Sequence, residues 1–400
     1  MAEIQPSVVL GADPLFQPHT GIGNYTRSLA RNLLALELVK QLTLYANGMV
    51  LADSMLTSLP DTPDGCSTSR GANGVRRGRN RLSEVRSFLA SRSWAVSAYE
   101  KVMPLVDRAR LYPYRGAVFH SPNYLVPRFD GATVTTFHDL SIQRFPHFHP
   151  QARVRLLHKS MADAAERSTH IITDSELVRR EVIDYYTLSP DQVTAIPLAA
   201  DSRFRPRSPA DCAAILAPLG LEHRGFLLFS GTIEPRKNIR RICSAYKSLR
   251  IRNSLHLPIV FVGGEGWQSA EEHNDIQELV AKGWALYLGF VEENVLTTLF
   301  SAARALIYPS IYEGFGLPVV EAKHSATPVV TSKGSPMAEY TDARDCLVNP
   351  LDADAIAEAI EAVLDSRSLS TQQDHSAAFS ELSWAETARR TASIYGRLAV

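Results

Sequence analysis

Two carboxylates, Glu313 and Glu321, flank a pair of glycines in YPSIYEGFGLPVVEAKHSATPVV, residues 308–330. The apolar run ending at Ile307-Tyr308 reads as a buried strand that Pro309-Ser310 terminates. Leu317-Pro318 then opens a helix, since the N–H that proline lacks has no partner in a first turn. Strand, glycine loop and helix in that order expose backbone N–H groups at the positive end of a helix dipole, a seat for phosphate or sugar hydroxyls. Glu313 stands just before the loop and Glu321 is expected in the first helical turn, so both can accept hydrogen bonds from hydroxyls at one pocket. The plainer reading is that acids simply favour a helix start. For Glu321 alone the two readings stand level; for the whole stretch, capping does not require so much.

Three other segments carry chemistry. Gly231-Thr-Ile-Glu-Pro-Arg-Lys-Asn puts Arg236 and Lys237 past a strand, at the mouth of a helix. Adjacent cations there are either solvated charge or the neutralisers of a diphosphate, Arg as a planar fork and Lys as a point charge. His138-Asp139 follows a strand over Thr133–Phe137. A histidine at that place is either structural or turned to a ligand, because polar residues at the carboxyl edge of a parallel sheet tend to serve ligands. Gly21-Ile-Gly-Asn precedes a helix expected over 26–40, and Gly21 and Gly23 either touch phosphate or supply a turn. The dinucleotide fingerprint GxGxxG fails, because Thr26 holds the place of its third glycine.

Elements in an ordered alternation must position these residues. Strands are predicted over 7–11, 42–46, 117–120, 133–137, 170–173 and 193–197, with helices over 151–167 and 176–186. A Pro-rich stretch, 197–209, reads as an interdomain hinge. A second series follows, with strands over 226–230, 258–262, 285–288, 305–308, 328–331 and 346–348. Such alternation predicts parallel sheets covered on both faces. Ser383, with Glu386 three residues later, caps a last helix to Leu398.

Four hundred residues, 45% hydrophobic and 21% charged, are enough for two or three domains with real cores. Lys+Arg and Asp+Glu both number 42, so no overall field draws nucleic acid. Cys66, Cys212, Cys243 and Cys346 lack CxxC spacing and read as reduced thiols of a cytosolic protein. MAEIQPSVVLGADP has no signal-peptide pattern, and no window reaches the length of a membrane span. Arg76, Arg77, Arg79, Arg81, Arg86 and Arg92 form a basic cluster that is either a solvated helix face or a patch for anionic lipid headgroups. His147 and His149 lack a third ligand at sensible spacing and read as loop residues.

The Glu313-x7-Glu321 stretch, FHDLSIQRFP and EPRKN resemble retaining glycosyltransferases of the GT4 type, and the likeness covers nearly the whole chain. It implies a GT-B fold: two α/β Rossmann-like domains facing each other across a cleft. The N-terminal, acceptor-side domain is expected over 1–200 and the nucleotide-sugar domain over 201–382, with helix 383–400 packed back on the first. By the same resemblance, Gly21 and Gly23 close over the donor phosphate and His138 faces the transferred sugar. The N–H groups of Phe315, Gly316 and Leu317 hold sugar and phosphate oxygens, and Glu321 binds the ribose. Where some relatives carry an extra arginine, Thr232 stands here.

Sugar transfer needs charge compensation on the departing diphosphate and stabilisation of an oxocarbenium-like carbon. Asp352-Ala-Asp354 reads as a helix cap, so the first is expected from Arg236, Lys237 and amide dipoles without an essential metal or cofactor. The second is expected from Glu313 and His138. The resemblance thus implies retaining transfer of a hexose, mannose from GDP-mannose, to a glycan or lipid-linked glycan such as a lipopolysaccharide O-chain. The enzyme is expected to be cytoplasmic, with peripheral membrane contact through residues 76–92. Alternatives are a sugar-nucleotide epimerase or hydrolase of the same fold, and a non-catalytic nucleotide-sugar binder.

Overall fold

The computed structural model describes residues 5–16, 21–52, 93–252, 255–365 and 382–399, with the backbone alone over 93–101. The basic cluster at Arg76–Arg92 lies outside the described residues. Among the described residues no helix is long and apolar enough to cross a membrane.

Two sheets organise the chain. The first has the order β3-β2-β1-β4-β5-β6-β7, from Ser7–Gly11 (β1), Gln41–Ala46 (β2), Met49–Val50 (β3), Val118–Ser121 (β4), Thr133–Phe137 (β5), His170–Thr173 (β6) and Val193–Ala195 (β7). The strands β1, β2, β4 and β5 pair in parallel, and the short β3 turns back antiparallel on β2. The second sheet has the order β10-β9-β8-β11-β12-β13, from Leu227–Ser230 (β8), Ile259–Val262 (β9), Ala285–Gly289 (β10), Ala305–Tyr308 (β11), Val329–Ser332 (β12) and Cys346–Val348 (β13). Its neighbouring strands all pair in parallel.

The reason is visible in the residues. Runs such as TVTTF, HIIT, ALIY and VVTS are buried at every position. A strand covered on both faces cannot alternate apolar with polar, so it is written as a continuous run, and β-branched side chains suit the pleat. In sequence order the second sheet runs 3-2-1-4-5-6, the doubly wound arrangement, which places its topological switch point between β8 and β11.

The chain forms two compact units. One comprises Met1–Thr136, Asp163–Ile171 and Ala388–Val400; the other comprises Phe137–Ala162 and Ile172–Thr387. In the first, Tyr395 of the last helix, Trp384–Leu398, places its hydroxyl 2.5 Å from His120 Nδ1 in the buried interior. His120 Nε2 lies 2.8 Å from Thr136 Oγ1, which also meets the Tyr25 hydroxyl at 3.0 Å.

The first helix departs from its expected bounds. It spans Gly21–Ala35, not 26–40, so Gly21 and Gly23 belong to its first turn and not to a preceding loop. Tyr25, Thr26, Leu29, Ala30 and Leu33 are buried, and that packing overrides the low helix propensity of glycine. At the other end Glu37 turns left-handed, with φ 51°. Leu38 N–H then bonds Leu33 O and Glu37 N–H bonds Leu34 O, a Schellman closure that stops the helix before the remaining leucines can extend it.

Candidate active site

The site of interest in the second unit is built from the two strands at the switch point. From the end of β8 the chain passes through Glu234, in extended backbone, to a 3₁₀ turn over Pro235–Lys237. Asn238 follows at φ 65° and donates its side-chain amide to Pro309 O (2.9 Å) and Pro350 O (2.6 Å). Ile311 N–H donates to Arg236 O at 2.8 Å. The cation-bearing turn is thereby pinned to the loop after β11, where Glu313 stands.

That pinning makes a buried ion cluster. Lys237 Nζ lies 2.5 Å from Glu313 Oε1 and 2.6 Å from the Tyr308 hydroxyl, which in turn donates to Glu313 Oε1 at 3.1 Å. Arg236 reaches the other Glu313 oxygen with Nη1 at 2.9 Å, Tyr312 O with the same nitrogen at 3.2 Å, and Glu234 Oε1 with Nε at 2.7 Å. Burial alone would raise the Glu313 carboxyl, but Lys237 and then Arg236 override it and hold the group down at about 2. Burial, and then the Arg236 charge beside it, pull Lys237 below the usual ammonium range, Glu313 acting against both. Burial works against the charge on Arg236 also, yet Glu313 and then Glu234 raise it above its ordinary value. Two cations thus stand together on a carboxylate scaffold at the carboxyl edge of the sheet.

The glycine loop closes against a second edge. A Cβ on Gly314 would lie 1.7 Å from His138 O, so only glycine lets the two backbones meet. Ser175 Oγ donates to Gly314 O at 2.7 Å and accepts from Val178 N–H as the cap of helix Glu176–Tyr186. Tyr312 ties the same pieces together: its hydroxyl donates to Glu181 Oε2 at 2.6 Å and accepts Leu140 N–H at 3.1 Å. His138, just past β5, presents Nδ1 to Asp174 Oδ2 at 2.7 Å.

Gly316 is left-handed, with φ 91°, and a Cβ there would strike Met337 Cγ at 2.2 Å. It forms the N-terminal boundary of helix Leu317–His324, with Pro318 in the first turn as expected. The Phe315 ring is buried against Tyr340, centroids 5.1 Å apart, so the residue can offer only backbone groups to a ligand. Glu321 sits one turn further in than expected, fifth in the helix and half-buried. Burial, with the carboxylates of Asp201 and Glu293 adding, pushes it up to about 8. Among the described residues its carboxyl has no hydrogen-bond partner.

The structure therefore brings Arg236, Lys237 and Glu313 into direct contact and packs the His138 backbone against the loop that follows them. Gly21 and Gly23 belong to the other unit, at the start of its first helix. Asp352 caps its helix as read from the sequence, its Oδ1 accepting from Asp354 N–H and Ala355 N–H at 3.0 Å. His147 is the middle residue of a 3₁₀ turn over Pro146–Phe148, and His149 is buried beside Trp267. Four residues went unmarked in the sequence reading: Glu234, Asp174, Tyr308 and Tyr312. Glu234, Tyr308 and Tyr312 stand inside segments already singled out. Asp174, first residue after β6, carried the same strand-end signal as His138.

Two doubly wound sheets with a cation cluster and a glycine-loop helix at the switch point are the architecture of a GT-B glycosyltransferase. The chain belongs to that enzyme family: residues 20–204 match the profile of Glycosyltransferase Family 4, and residues 215–378 that of the group 1 glycosyl transferases. Among its relatives, O-antigen chain mannosyltransferase B of Escherichia coli is 32% identical over 391 residues, covering 97% of this chain and 99% of the relative. The fold is shared with solved structures of WaaG, a glycosyltransferase involved in lipopolysaccharide biosynthesis (TM-score 0.62, 16% identity, 96% and 95% coverage). It is shared too with Anabaena Alr3699/HepE in complex with UDP and glucose (TM-score 0.60, 14% identity, 98% and 95% coverage).

Proposed function

We propose that this glycosyltransferase moves mannose from GDP-mannose to a growing glycan, of the lipopolysaccharide O-chain kind, with retention and without an essential metal. The observation that supports mannose as the sugar and an O-chain as the acceptor is the near full-length likeness to an O-antigen chain mannosyltransferase. The chemistry rests on the ion cluster. Arg236 and Lys237 neutralise the diphosphate as the glycosidic bond lengthens, exchanging part of their pairing with Glu313 for phosphate oxygens. Glu313 then accepts sugar hydroxyls, and His138 lines the sugar from the edge of β5. Glu321 accepts the ribose hydroxyls, while the N–H groups of Phe315, Gly316 and Leu317 hold donor oxygens. The acceptor oxygen attacks on the face the diphosphate leaves, and its proton passes to the departing phosphate.

Purified enzyme is offered GDP-mannose, GDP-fucose, UDP-glucose and UDP-galactose with an O-chain acceptor primer, with and without a chelator, and the product anomer is read by NMR. The expected result is transfer from GDP-mannose alone, an α linkage from the α donor, and unchanged turnover in chelator. Preference for a UDP-sugar, an inverted anomer or a chelator-abolished rate overturns the corresponding part. Donor consumption at full rate without acceptor points instead to a hydrolase or epimerase.

A further inference from the structure

The buried carboxylate of Asp174 has no part in the chemistry described so far. It follows Thr173, the last residue of β6, and is 2% exposed. Its Oδ2 lies 2.7 Å from His138 Nδ1, and its Oδ1 has no hydrogen-bond partner among the described residues. Burial raises its carboxyl, His138 opposes that, and Asp139 adds to it. Leaving an ionisable oxygen buried and unpartnered is costly. A purely structural aspartate at a strand end would turn its second oxygen to a cap or to solvent, and the capping here is done by Ser175 next door. What Asp174 does hold is one nitrogen of an imidazole at the carboxyl edge of the sheet.

We propose that Asp174 is the positioning residue of His138. It accepts the Nδ1 proton, which fixes the ring's rotation and makes Nε2 the lone-pair nitrogen of the neutral imidazole. Ser175 completes the arrangement from the adjacent position by binding Gly314 O, against whose α-carbon the His138 carbonyl packs. One dipeptide at the end of β6 therefore sets both the imidazole and the backbone that leads away from Glu313. The inference rests on the reading of His138 as a sugar-facing group.

The test is a double-mutant cycle with Asp174→Ala, Asp174→Asn, His138→Ala and the pair His138→Ala/Asp174→Ala, each first checked for folding by thermal unfolding. The readouts are kcat and donor KM, together with ¹⁵N chemical shifts of the His138 ring, assigned by their loss in His138→Ala. Asp174→Ala is expected to lower kcat about 10- to 100-fold with donor KM changed less than about threefold. It should add less than about twofold once His138 is already alanine, since groups that act through one another are non-additive. The neutral ring should be the Nδ1–H tautomer in the wild type and a mixture of tautomers in Asp174→Asn. Additive losses, or an Nδ1–H tautomer retained in Asp174→Asn, overturn the positioning role. Wild-type turnover by His138→Ala overturns the reading of His138 beneath it, a result distinct from either.

Discussion

Replacing Glu313 by glutamine keeps the side chain's shape and deletes the charge that Lys237 and Arg236 share. Arg236 retains Glu234 at 2.7 Å, but Lys237, buried and with no other carboxylate contact among the described residues, is left with the Tyr308 hydroxyl. Breaking a buried pair from one side costs about 3–5 kcal/mol. The surviving Glu234 contact argues for the lower end, about 3 kcal/mol, and at about 2–4 °C per kcal/mol for a large domain the midpoint should fall by about 6–12 °C. The sign with pH follows from Glu313 being held down at about 2, below its ordinary 4.5. Its stabilising contribution is complete above pH 4.5 and vanishes as pH falls toward 2, so the gap between wild type and Glu313→Gln should close over that window. GDP supplies the converse check. Its diphosphate offers the cations the charge the variant lost, so saturating GDP should raise the variant's midpoint by more than the wild type's. Differential scanning calorimetry measures all three. A variant midpoint within 1 °C of wild type, or a GDP shift no larger than the wild type's, would refute the view that Glu313 and a diphosphate compete for the same two cations.

Lys237→Ala should lower kcat/KM by about two to three orders of magnitude while the fold persists, as loss of a preorganised charge at a leaving group does; near-normal transfer would remove it from the mechanism. Glu321, pushed up to about 8 by burial, gives stability that is intact below its ordinary 4.5 and is lost as pH rises to 8. Because the group is only half-buried, Glu321→Gln should gain about 1–3 kcal/mol over wild type at pH 8.5 and nothing at pH 4, read from denaturant midpoints across pH. Parallel curves would contradict this. Gly314→Ala drives a methyl into His138 O and should cost about 1–3 kcal/mol or more, with a matching fall in turnover; a variant as stable and active as the parent would show that the two backbones need not meet.

Strands such as β11 and β12 were legible because both faces are buried, which leaves an uninterrupted apolar run bounded by turn residues. Pro318 and the glycines marked the helix start at the site for an equally local reason. The first helix was misplaced because its start depends on burial of Gly23, Tyr25 and Thr26, and its end on a left-handed Glu37, and neither shows in periodicity. Arg236, Lys237 and Glu313 were each legible as charged residues at strand ends. Their mutual pairing was not, because 76 residues separate Lys237 from Glu313 and only the adjacency of β8 and β11 joins them. Asp174 escaped notice for the same reason: a carboxylate acquires meaning from the ring it holds, and that ring is 36 positions away.

The hydrogen bond between Tyr395 and His120 carries a consequence for biosynthesis. The unit that holds Met1–Thr136 also contains Ala388–Val400, so it is not completed until translation has passed through the second unit and beyond Tyr395. A nascent product cut off before Tyr395 lacks the hydroxyl that meets Nδ1 of the buried His120 imidazole. Products stopped before Trp384 should therefore leave the first unit more open to proteases than products that include helix Trp384–Leu398.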